Sequence, residues 1–195
     1  MTRNRFDQDR ALLERIRAGD RTACDDCIRE HSPGVYRLAL RLMRNEAEAE
    51  DVMQETFLSA FKAIDQFDGR AGIHTWLYRI TYNTALMRLR RRRPDSVPVD
   101  EAIEPEEGAA VPRALIDSCR LPEQELEKAE VRVAIRRAIA ELPAKLRAVL
   151  VMRDLDELST EATAQALGVS EQAVKTRLHR ARQMLKDRLI ELRQS

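Results

Sequence analysis

The sequence predicts an all-α protein of two small helical domains joined by an acidic, proline-rich linker. Three observations carry that expectation. Aromatic residues make up only 4% and glycines number six in 195 residues, against 44% hydrophobic and 34% charged residues, which suits packed helices better than sheets. Apolar residues recur at steps of three and four on both sides of a break, with neither strand-like alternation nor an internal repeat in either half. Five of the seven prolines, Pro94, Pro98, Pro105, Pro112 and Pro122, fall in one stretch that lacks helical periodicity. The expected boundaries are a helical domain over 1–93, a flexible linker over 94–122 and a second helical domain over 123–195.

The net charge of +1 conceals segregation. From Gln66 to Arg93 seven arginines face a single acid, Asp68, whereas from Pro94 to Pro122 seven acids face only Arg113 and Arg120. Two basic surfaces separated by an acidic strap suit a chain that touches a polyanion in two places. Three cysteines, an odd number, and no apolar leader favour free thiols in a reducing compartment, so the cytoplasm is expected. The clearest short apolar run, Ala148 to Met152, is far below the roughly 18 residues of a membrane span, so no direct membrane insertion is expected.

Along the first half, Leu12, Leu13 and Ile16 mark a helix stopped by Gly19, and Asp20 is placed to cap the next. That second helix is expected to turn Ala23, Cys24, Cys27 and Ile28 inward. Pro33-Gly34 then reads as a turn into a third helix through Val35, Leu38, Ala39 and Leu42. Asn45 followed by Glu48 is a capping box opening a helix with Ala49, Val52, Met53, Thr56, Phe57, Ala60, Phe61 and Ile64 inward. Its other face carries Glu48, Asp51, Gln54, Glu55 and Leu58. After a loop with Gly69 and Gly72, a helix from about Thr75 to Pro94 buries Leu77, Ile80, Thr84 and Met87. Its expected outer stripe is Arg79, Asn83 and Arg90, with Tyr82 beside it and five arginines between Arg88 and Arg93. Aromatic rings among arginines behind a glycine-containing loop form a surface for single-stranded nucleic acid. The same pattern also fits a core Trp76 and arginines placed to suit the helix C-terminus.

Near the end, residues 160–182 read as a DNA-binding helix-turn-helix. Ser159 caps a short helix that Gly168 ends in the left-handed region. Ser170 caps a second helix, with Glu171 complementing its dipole. Val174, Leu178, Ala181, Leu185 and Leu189 form its buried stripe, so Gln172, Thr176, His179, Arg180 and Gln183 project from the opposite face. Lys175, Arg177 and Arg182 flank that face where phosphates lie if the helix enters a major groove.

With both halves read, the chain resembles the extracytoplasmic-function (ECF) group of RNA polymerase sigma factors in the sigma-70 family. Four ordered segments carry the likeness: 50–57, 72–83, 142–153 and the helix-turn-helix. The resemblance implies a region 2-like N-terminal bundle and a region 4-like C-terminal domain. It also implies that the chain, not an enzyme by itself, directs RNA polymerase core to promoters, reading the -35 element and melting the -10 element. Asp51, Gln54, Glu55 and Leu58 then fall where the family docks on the clamp helices of the largest polymerase subunit. The flap of the second-largest subunit is a further implied contact. Asn83 and the loop Phe67 to Ile73 fall where the family holds an extruded base. Phe67, Arg70, Trp76, Arg79, Tyr82, Asn83 and Arg90 are therefore the expected -10 and melting residues. Gln172, Lys175, Thr176, Arg177, His179, Arg180 and Arg182 are the expected -35 residues. An anti-sigma factor, often membrane-bound in this family, is an implied partner.

The chain departs from the family at Thr160, usually aromatic, Ala162, usually glutamate, and Thr163, usually aliphatic. Those changes remove half of a capping box with Ser159 and some core volume. Cys24-x-x-Cys27-x-x-x-His31 has metal-ligand spacing, but it offers three ligands from one helix where structural zinc takes four. Both cysteines also fall where the family has apolar residues, so core positions are expected, with no metal and no cofactor. A conventional helix-turn-helix repressor leaves the Asp51-Gln54-Glu55 face unexplained, and a DNA-acting enzyme needs a carboxylate cluster or nucleophile that no segment supplies.

Overall fold

A computed structural model describes the backbone of residues 3–69, 71–92 and 126–194, and the side chains of 7–69, 71–92 and 133–191. The described residues are helical with no strand. The chain separates into two compact units, one built on residues 1–94 and the other on most of 95–195. The acidic stretch 94–122 lies outside the described residues.

In the first unit α1 (Arg3–Arg17) ends at Gly19, whose φ of 81° a side chain would resist. Asp20 then caps α2 (Arg21–Met43) by accepting the backbone N–H groups of Thr22 at 2.9 Å and Ala23 at 3.3 Å. Here the expected turn at Pro33-Gly34 does not form: α2 is one helix running through both residues. Proline's fixed φ is helical, so Pro33 forfeits one N–H bond without reversing the chain. Gly34 serves a different end. A Cβ on it would lie 3.2 Å from the Tyr78 hydroxyl and 3.3 Å from His74 Cε1, so its bareness lets a distant helix come close. Ile28, expected inward, is 37% exposed, while Cys27 is buried and Cys24 half-buried.

Asn45 caps α3 (Glu46–Lys62) by accepting the Glu48 N–H at 3.0 Å. The Glu48 carboxylate, expected to return to Asn45, pairs instead with Arg92. A 3-10 turn over Ile64–Gln66 and a loop lead into α4 (Ile73–Arg92). Pairing of Glu48 with Arg92 and of Thr56 with Thr81 shows that α3 and α4 run antiparallel. Val35, Leu38, Leu42, Val52, Ile73, Leu77 and Tyr78 are almost fully buried where α2, α3 and α4 meet. Each large apolar side chain of this set contributes about 1.5–3 kcal/mol by leaving water. Met87, expected in that core, is 54% exposed.

Beyond residue 125 the described elements are α5 (Leu126–Glu141), α6 (Ala144–Leu150), a π-helical turn (Val151–Leu155), α7 (Thr160–Leu167) and α8 (Glu171–Gln194). Pro143 sits at the N-cap of α6, where a missing N–H costs nothing. The core draws Ile135 and Ile139 from α5, Leu146, Val149 and Leu150 from α6, and Val174, Leu178, Ala181 and Leu185 from α8. Ser159 accepts the Ala162 N–H at 3.0 Å and Ser170 accepts the Ala173 N–H at 3.1 Å, so each helix of the helix-turn-helix starts on a serine cap. Gly168, at φ 66°, makes the turn between them. None of the described helices is long and apolar enough to cross a membrane.

Candidate nucleic-acid and protein interfaces

Because Val174, Leu178, Ala181 and Leu185 are buried, α8 can show a partner only its other faces. Gln172 and Lys175 are exposed there, and Thr176, Arg177, His179 and Arg180 are partly exposed. Arg180 is partly exposed, but its Nη2 is buried and has no hydrogen-bond partner among the described residues. Arg182 differs. It donates Nε at 3.0 Å and Nη2 at 2.7 Å to Asp154, whose side chain is nearly buried in the π-helical turn. That carboxylate holds the guanidinium in its charged form, raising the Arg182 pKa. The structure thus gives Arg182 an internal partner and leaves about a third of its side chain exposed.

In the first unit, Arg79, Asn83 and Arg90 are exposed on α4. The two aromatic residues expected to offer rings to bases are placed otherwise. Tyr82 is 4% exposed and belongs to the core, because α2 and α3 cover two sides of α4 and widen its buried stripe. Phe67 is buried as well, with its ring stacked on half-buried Trp76 at 4.5 Å between centroids. Trp76 is therefore the ring at this place that retains exposed surface. Arg70 lies outside the described residues. Gly69, with φ 74°, supplies the left-handed residue of the loop.

Asp51, Gln54, Glu55 and Leu58 share one exposed face of α3, and Leu58 is 61% exposed. Two of these carboxylates are already engaged. Arg88 of α4 donates Nη1 to Asp51 at 3.0 Å and Nη2 to Glu55 at 3.0 Å, and both bonds raise its pKa. Sequence reasoning counted Arg88 only as one of five arginines. Its opposition to Asp51 depends on the antiparallel register of α3 and α4, which no local signal carries.

Cys27 faces the core with Leu13, Ile16 and Val35 around it, and burial pushes its thiol up to about 12. A metal ligand must be a thiolate, so this environment disfavours that role. No group of three His, Cys, Asp or Glu side chains comes together for a metal among the described residues.

Comparison with known proteins agrees with this arrangement of two units. A family model described as sigma-70 region 2 matches residues 27–94, and one described as sigma-70, region 4 matches residues 132–185. The ECF RNA polymerase sigma factor SigW of Bacillus subtilis is 34% identical over 92% of this chain and 96% of its own length. The RNA polymerase sigma-H factor of Pseudomonas aeruginosa is 35% identical over 92% of each chain. The ECF RNA polymerase sigma-E factor of Escherichia coli K12 is 34% identical over 93% of this chain and 94% of its own. Among solved structures, CnrH bound to the cytosolic domain of CnrY aligns with a TM-score of 0.66 at 26% identity, covering 94% of this chain and 97% of that one. The sigma factor RpoE of Bartonella quintana, bound to the anti-sigma factor NepR, shares the fold with a TM-score of 0.59 at 21% identity, covering 84% and 94%.

Proposed function

The chain belongs to the ECF group of the sigma-70 family and directs promoter-specific transcription initiation by RNA polymerase, and from that premise we propose how its surfaces divide the work. The α8 face of Gln172, Lys175, Thr176, His179 and Arg180 reads the -35 duplex. Arg79, Asn83, Arg90 and Trp76, with the loop from Phe67 to Ile73, open the -10 element and hold an extruded base. The α3 face of Asp51, Gln54, Glu55 and Leu58 docks on the clamp helices of the largest subunit, and the second unit meets the flap of the other large subunit. Domains over 1–93 and 123–195, with 94–122 as linker, set the two DNA-reading surfaces on separate bodies.

The observation that carries this reading is the division of α8. Val174, Leu178, Ala181 and Leu185 of its apolar stripe are committed to the core and Leu189 is half-buried, which leaves amide, hydroxyl, imidazole and guanidinium groups on the opposite side. Melting costs a few kcal/mol of lost stacking, which capture of an extruded base offsets without any catalytic group. The chain accordingly acts as an initiation factor in the cytoplasm and is no enzyme itself. The likeness to CnrH, solved with the cytosolic domain of CnrY, supports a protein partner for this chain too, which membership of the family makes an anti-sigma factor.

Co-purification with polymerase core, followed by runoff transcription on a supercoiled promoter library, tests the reading and identifies the promoter. Asn83→Ala is expected to abolish permanganate reactivity at the -10 element while leaving core binding intact. Unchanged permanganate reactivity would overturn the placement of the melting surface. Arg180→Ala is expected to weaken specific -35 binding by about 1–3 kcal/mol. Equal losses on specific and random DNA would refute base reading by that residue.

A further inference from the structure

Both ends of the loop that leads into α4 are fastened to α1, a helix to which the preceding assignments give no part. At the entry, Arg17 donates Nη2 to the carbonyl of Ile64 at 3.1 Å and also to the carbonyl of Phe67. The Phe67 oxygen lies past the 3-10 turn, whereas the Ile64 oxygen already accepts the Phe67 backbone N–H at 3.3 Å and takes Arg17 as a second donor. At the exit, the carboxylate of Asp9 accepts the backbone N–H of Ile73 at 3.0 Å. Ile73 opens α4, so this N–H has no partner within its helix, and a negative charge there also complements the helix dipole. Between the two fastenings the Phe67 ring lies on Trp76, so residue 67 is held by its carbonyl and by its ring.

This polar brace is separable from the attachment of α1 itself. Leu13 and Ile16 bury α1 against Ala23, Cys27, Val35 and Ile64, whereas Arg17 is exposed and Asp9 only half-buried. Removing either polar side chain therefore leaves α1 docked and releases one end of the loop. The two fastenings hold the ends of the loop, Phe67 and Ile73, on one helix before DNA arrives, and a preformed site pays less ordering entropy on binding than a mobile one.

We infer that Asp9 and Arg17 are positioning residues for -10 recognition: from α1 they hold the two ends of the loop, at Phe67 and Ile73, in the placement that receives the extruded base. The inference rests on the reading that this loop receives that base. It assigns the first helix of the chain a role in promoter discrimination without DNA contact.

The test uses holoenzyme assembled from core polymerase and full-length chain, with transcription measured on the identified promoter and on variants substituted singly across the -10 element. Arg17→Ala and Asp9→Ala are expected to lower the discrimination ratio between best and substituted bases by at least about fivefold, with core affinity and -35 duplex binding unchanged. Asp9→Asn keeps an oxygen that accepts from Ile73 and should restore discrimination. Arg17→Lys, which can reach one carbonyl, should restore part of it. The same ratios measured on a pre-melted template separate reading from melting, since a loosened loop discriminates poorly there too. If the wild-type holoenzyme shows no base preference in the -10 element, the reading of the loop itself fails. If the wild type discriminates and both alanine variants discriminate equally well, the brace is refuted while that reading stands. Loss of core binding with an unchanged ratio, or no rescue by Asp9→Asn, would reduce the pair to fold stabilisation and overturn the positioning role.

Discussion

Arg182 and Asp154 join the outer edge of the helix-turn-helix's second helix to the π-helical turn before its first, through two parallel N–H···O bonds of 3.0 and 2.7 Å. The Asp154 side chain is nearly buried, so truncating Arg182 removes the guanidinium that offsets its charge there. Arg182 itself keeps about a third of its side chain exposed, and solvent screening reduces the cost accordingly. Arg182→Ala is therefore expected to destabilise the second unit by about 2 kcal/mol. The double variant with Asp154→Ala should lose less than the two single losses added, as a urea-unfolding double-mutant cycle measures. Additive losses would refute the pairing. DNA affinity corrected for the folded fraction should barely change, in contrast with Arg180→Ala.

The legible parts of this protein were those written in local chemistry. Caps at Asp20, Asn45, Ser159 and Ser170, and the left-handed glycines at 19 and 168, depend on three to five neighbouring residues and were found where expected. Relationships across elements were not legible. Pro33-Gly34 carries the local signature of a turn, yet its meaning is set by Tyr78, 44 residues later. Tyr82 lies one helical step from the exposed Asn83, and only the covering of α4 by two helices decides that its ring is core. The partners of Arg88, Arg182 and Arg17 likewise lie 28 to 50 residues away.

Arg88 occupies the same two carboxylates that the proposed docking face offers to polymerase. The pairs are exposed, with Asp51 at 60% and Glu55 at 50%, so they add well under about 1 kcal/mol to folding and are weakened by salt. Their larger effect is on the potential of that face. Arg88→Ala leaves the acids unneutralised and should tighten core binding severalfold at low ionic strength, with the gain fading at high salt. Weaker binding of the variant at low salt, in a fluorescence titration, would mean that Arg88 itself contacts core.

Thr163 is fully buried on α7, and its hydroxyl has no hydrogen-bond partner among the described residues. Valine has nearly the same shape without the stranded polar atom. Thr163→Val should therefore stabilise the chain by about 1 kcal/mol, raising the midpoint of the second unit's unfolding. A lower midpoint would reveal a partner for that hydroxyl.

The hydroxyl of Thr22, followed by Arg15, holds the Asp20 carboxyl down at about 2 from 3.8. A carboxyl with a depressed folded pKa stabilises the native state above its unfolded value and loses that contribution as pH falls from about 4 to about 2. Asp20→Ala should thus be less stable than wild type at pH 7. The gap in urea midpoints should narrow between pH 4 and pH 3. A gap independent of pH would assign the cap's benefit to geometry alone.

Gly34 brings two opposed effects into one position. Within a helix, alanine is favoured over glycine by roughly 1 kcal/mol through backbone entropy, so Gly34→Ala would stabilise an isolated α2. In the folded chain the added methyl meets the Tyr78 hydroxyl at 3.2 Å and His74 Cε1 at 3.3 Å. Tyr78 is completely buried and its hydroxyl lies 3.4 Å from the Gly34 carbonyl, so its ring has no room to withdraw. Overpacking of this kind costs about 1–3 kcal/mol, which exceeds the helical gain. The expected outcome is a net loss of about 1 kcal/mol for Gly34→Ala, reversed in the background of Tyr78→Phe, which withdraws the closest atom. Calorimetry of the two single variants and the double variant decides it: stabilisation by Gly34→Ala alone would show that α2 and α4 are not held at this separation.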